Sequence, residues 1–265
     1  MREMIHFVHG NGFPSQSYRQ LLSRLESKYD CFYLDRVGHA PLFPVTDNWH
    51  FLVKEVIFSI EAQATQPVIA LGHSLGGVLS LLAAIERPDL FKMVILLDSP
   101  MFGRMKSMML RMFKTLGVID RVTPAWQTRK RRQHWTSREQ ALIYLRRRAL
   151  FKSFDQACLQ DYIDFGMIKD DTGYALRFDP QIEYQIYRTI PHSSYTHEGR
   201  LKVPAALLYG DRSHLIRPVD VRYMKRKYGI ESFETHGSHM FPMEHPAVCA
   251  TQVMNIIDML LHKEK

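Results

Sequence analysis

A serine between glycines is the strongest candidate for chemistry in this sequence. Ser74 is the third residue of a Gly-His-Ser-Leu-Gly pattern that lies between an apolar run, Val68–Leu71, and a segment with helical spacing, Leu75–Glu86. A sharp turn from a buried strand into a helix requires residues without bulk at Gly72 and Gly76, and it lifts a serine hydroxyl above the sheet at a helix N-terminus. The pattern therefore predicts that Ser74 is a nucleophile.

A nucleophilic serine needs a general base, and the last loop of the chain offers one. His239 follows a predicted strand that ends near Thr235, so this loop would bring it to the carboxyl ends of the strands, where Ser74 is expected. A nucleophile that precedes its base in the chain agrees with a known order of catalytic triads. His236 and His245 lie close in sequence and are competing candidates.

The elements that must position these residues alternate between strands and helices. Strand-like apolar runs occupy residues 4–8, 31–34, 68–71, 93–97, 205–209 and 232–235. Helical periodicity occupies residues 15–27, 47–64, 75–86, 219–228 and 246–262. A run that is apolar throughout, such as Met93–Leu97, is typical of a parallel strand covered on both faces. The sequence therefore predicts an α/β fold with a mostly parallel sheet of about six strands.

The middle of the chain differs from its flanks in charge. Residues 99–202 carry 19 Lys and Arg against 10 Asp and Glu, a net charge of +9, whereas the whole chain has a net charge of +8. Apolar spacing predicts helices in this segment, for instance over 101–116 and 155–166. We therefore predict a core formed by residues 1–98 and 203–265, with a helical insertion at 99–202.

Four motifs in order resemble those of the α/β-hydrolase superfamily. The segments HGNGFP (9–14), DRVGH (35–39), GHSLGG (72–77) and SHMFPMEHP (238–246) are similar to its oxyanion loop, its loop after the next strand, its nucleophile elbow and its histidine segment. The resemblance implies an oxyanion hole formed by the backbone N–H groups of Asn11 and Leu75. It also implies that the insertion is a cap domain and that the usual first two strands are lacking.

The resemblance leaves the acid of the triad open between two aspartates. Members of the superfamily usually carry the acid three residues after a Gly that ends the penultimate strand, and Ser213 occupies that position here. Some relatives, including certain haloalkane dehalogenases, supply the acid at the end of the strand before the cap, which in this chain is Asp98. Asp98 is therefore the first choice to orient His239, and Asp211 is the competing acid.

A serine at the elbow limits the chemistry. Dehalogenases and epoxide hydrolases of this fold form an alkyl ester on an aspartate, which this elbow lacks. The resemblance thus implies hydrolysis of a small-molecule carboxylic ester through an acyl-enzyme on Ser74, without a cofactor or metal ion. A substrate pocket with Met101, Met105 and Phe241 in its wall would suit an apolar acyl chain.

The basic insertion raises the question of partners. Its clusters at 129–132 and 146–148 lie within or beside amphipathic helices and have no nucleic-acid recognition motif, so nucleic-acid binding is not expected. The simplest interpretation of such a surface is a solvated helix face; as the alternative, it would attract an acidic acyl carrier, an acyl-CoA or a phospholipid headgroup. Two alternatives to a general esterase follow: an esterase or thioesterase for carrier-bound acyl groups, and a non-catalytic small-molecule receptor, which the missing acid at Ser213 favours.

Composition excludes several other classes of protein. The chain has 265 residues, of which 46% are hydrophobic and 23% charged, as in an ordinary globular domain. No apolar run approaches the roughly 20 residues of a membrane span, since Val68–Ile85 is interrupted by Gly, His and Ser. The N-terminal sequence lacks a secretory signal, and the three cysteines lack metal-ligand spacing. We therefore expect a cytoplasmic protein with reduced thiols and no integral membrane association.

Overall fold

A computed structural model describes residues 2–262 and contains nine strands and twelve α-helices within that range. The strands are β1 Met4–Val8, β2 Asp30–Leu34, β3 Val68–His73, β4 Phe91–Leu97, β5 His134–Trp135, β6 Met167–Asp170, β7 Gly173–Leu176, β8 Ala205–Gly210 and β9 Glu231–Thr235. The helices are α1 Arg19–Leu25, α2 His50–Gln63, α3 Leu75–Glu86, α4 Arg104–Thr115, α5 Ile119–Val122, α6 Ala125–Lys130, α7 Arg138–Arg146, α8 Gln156–Phe165, α9 Pro180–Arg188, α10 Pro218–Tyr228, α11 Phe241–Glu244 and α12 Pro246–His262. None of the helices in the described range is long and apolar enough to span a membrane.

Six strands form the central sheet in the order β2-β1-β3-β4-β8-β9, and every neighbouring pair is parallel. The predicted α/β fold with about six mostly parallel strands is thus confirmed. The strand order runs outward from β1 in both directions, so that β2 and β3 lie on opposite sides of it. Such a reversal opens a crevice beyond the carboxyl ends of the strands, where open α/β sheets bind their ligands.

Apolar side chains cover both faces of this sheet. On one face, Ile5 and Phe7 of β1 pack with side chains of α1 and α12. On the other face, Val8 and the apolar residues of α2 and α3 form a second cluster. Cys158 and Cys249 are buried free thiols in the first cluster. Burial on both faces explains why the central strands are apolar throughout rather than alternating.

The segment 99–202, which was predicted to be helical, also contains a small sheet. Strands β5, β7 and β6 pair antiparallel in that order. The turn between β6 and β7 ends at Gly173, whose φ is 148° and whose added Cβ atom would lie 2.2 Å from the carbonyl oxygen of Trp135. A side chain at this position would overlap with the backbone of β5, so the glycine permits the close pairing of β7 with β5.

The helix predicted to begin at Asp47 begins three residues later. Asn48 and Trp49 both have a φ of 61°, so the chain turns before α2 starts at His50. The side-chain oxygen of Asn48 accepts a hydrogen bond from the backbone N–H of His192 at 2.9 Å. Contacts with a distant segment thus hold a conformation that helical periodicity alone does not predict.

Candidate active site

Ser74 occupies the turn between β3 and α3. Its φ is 52°, its ψ is −113°, and its backbone N–H donates to the carbonyl oxygen of Leu97 at 2.9 Å. A Cβ atom on Gly76 would lie 2.0 Å from the carbonyl oxygen of Val8, and one on Gly72 would lie 2.4 Å from the backbone of Gly76. Both glycines are therefore required for this close packing. The positive φ of Ser74 is a strained conformation of the kind that clusters at functional sites.

His239 and Asp98 form a direct pair beyond the ends of the strands. The Nδ1 atom of His239 lies 2.7 Å from Oδ2 of Asp98. Asp98 is fully buried directly after β4, with a φ of 46°, and its backbone N–H donates to the carbonyl oxygen of Leu208 at 2.8 Å. Because a carboxylate only accepts hydrogen bonds, Nδ1 carries the proton and Nε2 remains free to accept one.

Two further donors hold the carboxylate of Asp98. The backbone N–H of Gly210 donates to Oδ1 at 3.1 Å, and the hydroxyl of Ser213 donates to Oδ2 at 2.6 Å. The same hydroxyl accepts from the backbone N–H of Leu215 at 3.1 Å, which fixes its orientation. Ser213 thus donates to an acid that comes from another strand. In the sequence, Ser213 is notable only because it occupies the position where the superfamily usually has its acid. No other feature of the sequence indicates this contact.

The competing acid, Asp211, and the competing bases, His236 and His245, form a separate group. Oδ2 of Asp211 lies 3.0 Å from Nδ1 of His236, and its Oδ1 accepts from the backbone N–H of Gly237 at 2.9 Å. The hydrogen bonds from Gly237 and His236 lower the pKa of Asp211. The ring of His245 lies 5.5 Å from that of His236. Among residues 2–262, no hydrogen bond joins Asp211 to His239.

A chain of buried hydrogen bonds supports the backbone of His239. The N–H of Gly10 donates to the phenol oxygen of Tyr18 at 3.2 Å, and that oxygen lies 2.7 Å from Nδ1 of His73. Nε2 of His73 lies 2.9 Å from the carbonyl oxygen of His239. Burial lowers the pKa of His73 well below its ordinary value, so the ring is neutral, with Nε2–H as donor and Nδ1 as acceptor. Sequence reasoning missed this chain, although His73 is the residue before the nucleophile.

One cavity of about 560 Å³ brings Ser74 and His239 together with Asn11 and Leu75. Leu75 is the first residue of α3, and the first N–H groups of a helix have no partner within it. Asn11 follows β1, and its side-chain Nδ2 donates to the carbonyl oxygen of Glu183 at 3.0 Å, which anchors the loop. The two residues expected to supply oxyanion donors therefore line the same cavity as Ser74.

The residues predicted to form the pocket wall do not line this cavity, and that prediction was wrong. Met101 and Phe241 are buried in the two apolar clusters, and Met105 is 77% exposed, so none of the three lines the cavity. The apolar wall is formed instead mainly by residues of the segment 99–202 and by Trp49, Val78 and Leu215. Within that segment they are Pro100, Phe102, Pro124, Leu150, Ile186, Tyr187, Ile190 and Pro191.

The rotation of α4 about its axis explains why Met105 points away. Ser107 is fully buried, and its hydroxyl donates to the carbonyl oxygen of Phe102 at 3.2 Å. The neighbouring Lys106 forms a salt bridge with Asp220 at 2.5 Å. These contacts turn one edge of α4 inward and leave its methionines facing outward.

The groups around Ser74 are of the kinds that acyl transfer requires. A serine at a helix N-terminus, a histidine with a defined proton position and a buried carboxylate are the components of a nucleophile, a base and its orienting acid. Within the described range, no group of three or more His, Cys, Asp or Glu side chains could hold a metal ion.

Comparison with protein families agrees with the fold. The model of the alpha/beta hydrolase family matches residues 7–252, and the chain therefore belongs to this family. In this family the nucleophile stands on a turn between a strand and a helix, and Ser74 occupies a turn of this kind between β3 and α3.

Individual relatives cover most of the chain or one part of it. The chain is similar to the uncharacterized hydrolase YugF of Bacillus subtilis (strain 168), at 27% identity over an alignment of 274 positions including gaps. The alignment covers 97% of this chain and 90% of that protein. An alignment of 106 positions with human monoglyceride lipase shows 31% identity and covers 37% of this chain and 35% of the lipase. The solved structure of E-2-(acetamidomethylene)succinate hydrolase is similar with a TM-score of 0.78, at 19% identity, over 97% of this chain and 91% of the other. At that identity the likeness concerns the fold.

Proposed function

We propose that this alpha/beta hydrolase is a serine esterase that cleaves carboxylic esters through an acyl-enzyme on Ser74. The observation that carries the proposal is the 2.7 Å pair of His239 and Asp98 in the loops that surround the cavity of Ser74. The contact of Asp98 with His239 supports Asp98 as the acid that Ser213 does not supply, and this favours an enzyme over a non-catalytic receptor. The relationship to a lipase over part of the chain also supports ester hydrolysis.

The proposed reaction has two steps. Nε2 of His239 takes the proton of the Ser74 hydroxyl as its oxygen attacks the ester carbonyl, while Asp98 stabilises the imidazolium. The backbone N–H groups of Asn11 and Leu75 stabilise the negative oxygen of the tetrahedral intermediate. His239 then gives the proton to the leaving alcohol. In the second step water attacks the acyl-enzyme, His239 takes a proton from the water, and it returns a proton to Ser74 as the acid leaves.

The cavity wall indicates the kind of ester. Apolar side chains such as Phe102, Leu150 and Ile186 surround the space beside Ser74. We therefore propose a hydrophobic acyl or alcohol part in the substrate, and we propose that residues 99–202 act as a cap that shapes this space. We propose a cytoplasmic location and a reaction without a cofactor, since hydrolysis needs only water as its second reactant.

A fluorophosphonate probe tests the proposed function directly, because it reacts with an activated serine and leaves an idle one unmodified. We expect one probe molecule to bind per chain, and mass spectrometry of the digested protein to locate it on Ser74. Heat-denatured protein is the control, since unfolding separates Ser74 from His239. An unlabelled native protein would support the receptor and contradict the esterase.

A second candidate is an esterase or thioesterase for carrier-bound acyl groups. The net charge of +9 on residues 99–202 favours it, because a basic surface attracts an acidic acyl carrier and raises the rate of encounter. The residues proposed for the chemistry are the same, since a thioester is cleaved through the same acyl-enzyme.

Ser213 provides a prediction about positioning. Ser213→Ala removes the hydroxyl that donates to Asp98 at 2.6 Å, and Asp98 then holds His239 less firmly. We expect kcat for a p-nitrophenyl ester to fall by roughly tenfold, the effect of one lost hydrogen bond to a charged group, while KM stays unchanged. Ser213→Thr keeps the hydroxyl and should retain most of the activity. A change in KM alone would contradict a role through Asp98.

A further inference from the structure

A second cavity lies beside the cavity of Ser74, within the segment 99–202. Its volume is about 470 Å³, and the walls of both cavities include Pro124, Leu150 and Tyr187. Both volumes are in the range of small-molecule sites. The two cavities are therefore neighbours that share part of one wall.

Basic side chains dominate the wall of the second cavity. Four lining residues, Lys130, Arg131, Arg132 and Arg148, are cationic, and one, Glu183, is acidic. Glu183 is buried and forms a salt bridge with Arg131. The other three cations form no salt bridge with a carboxylate in residues 2–262. The cavity therefore has an excess of positive charge and of hydrogen-bond donors.

Arg132 and Arg148 lie near the same aromatic ring. The Cζ atom of Arg132 is 5.5 Å from the centroid of the Tyr144 ring, and that of Arg148 is 4.1 Å from it. Both guanidinium groups thus lie beside Tyr144, which also lines the cavity. Trp135 also lines the cavity, and its buried indole N–H has no acceptor in the described part of the chain. A buried donor without a partner is costly, and an anionic ligand would supply the acceptor.

We propose that the second cavity binds a phosphate group of the substrate, held by Arg132 and Arg148, while the ester or thioester of the same molecule lies at Ser74. This inference rests on the proposed function. The planar N–H groups of arginine match the oxygens of a phosphate in pairs, whereas the cavity of Ser74 suits an apolar acyl chain. The substrate class is thus an acyl ester or thioester with a phosphate in its leaving group. Coenzyme A thioesters and glycerophosphate esters both have this chemistry.

Two matched pairs of substrates test the inference by hydrolysis. Butyryl-CoA is compared with butyryl-pantetheine, and a lysophosphatidate with the monoacylglycerol of the same chain. We expect a higher kcat/KM for the phosphorylated member of at least one pair, and the pair that shows it identifies the source of the phosphate. In Arg132→Gln/Arg148→Gln, the ratio of kcat/KM within that pair should fall by about 10- to 100-fold, the loss of two charge-assisted contacts.

A charge-matched variant serves as the control. Arg146 and Arg147 are exposed neighbours that line neither cavity, so Arg146→Gln/Arg147→Gln removes the same charge from the same segment. We expect this variant to keep the ratio of the unmodified protein. An equal fall in both double variants would show general surface attraction and would overturn the cavity site.

Binding without turnover separates this inference from the proposed function. Calorimetric titration of Ser74→Ala protein with coenzyme A and with glycerol 3-phosphate should show binding of at least one of them. The added Arg132→Gln/Arg148→Gln change should weaken that binding by about tenfold or more. No binding and no preference for phosphorylated substrates would overturn the inference. If the protein bound one of these compounds through both arginines but hydrolysed no ester, the phosphate site would be supported. Only the proposed esterase activity would then be contradicted.

Discussion

Ser74→Ala is expected to lower kcat for p-nitrophenyl butyrate by roughly 10⁶-fold, the loss found when the nucleophile of a serine triad is removed. The variant deletes one oxygen atom at the turn between β3 and α3 and leaves His239, Asp98 and the oxyanion donors in place. Without the hydroxyl, no acyl-enzyme can form, and the remaining groups only assist attack by water. Steady-state kinetics with purified protein measure the effect.

The structure offers a matched control for this variant. Ser80 lies on the same helix, is fully buried, and has a hydroxyl without a hydrogen-bond partner in the described residues. We expect Ser80→Ala to keep kcat, and thermal unfolding of both variants to resemble that of the unmodified protein. Retained turnover in Ser74→Ala would rule out an acyl-enzyme on Ser74.

The second large effect is expected at Asp98. Asp98→Asn removes the negative charge beside His239 and allows the imidazole to adopt the other tautomer, with Nε2 protonated and unable to take the serine proton. We expect kcat to fall by roughly 10⁴-fold, as for other triads whose acid becomes an amide. The same esters measure the effect.

Asp211→Asn is the comparison that separates the two aspartates. Because Asp211 bonds to His236 and Gly237 at the surface, its replacement should change kcat by less than about threefold. Adding Ser213→Asp to Asp98→Asn should restore part of the activity, since the Ser213 hydroxyl lies 2.6 Å from the carboxylate that is lost. A larger loss in Asp211→Asn than in Asp98→Asn would place the acid in the later loop.

Local sequence determines the turn at Ser74 and the class of the fold. Gly72 and Gly76 are needed because a Cβ atom at either position would overlap with backbone, that of Gly76 in the first case and that of Val8 on the adjacent strand in the second. The apolar strands alternate with helices, and burial on both faces of a parallel sheet leaves this pattern in the sequence. Such features are predictable because each leaves a short pattern of fixed spacing in the sequence.

Tertiary structure decides what lies around that turn. Asp98 and Asp211 both follow parallel strands whose carboxyl ends meet at one edge of the sheet, so strand order alone does not select the partner of His239. The selection depends on the path of two loops, which brings Asp98 to His239 and Asp211 to His236. The cavity wall depends likewise on the rotation of α4, which the burial of Ser107 and contacts with α10 hold with Met105 outward. These outcomes arise from contacts between residues that are far apart in the chain, and periodicity contains no information about which of those residues meet.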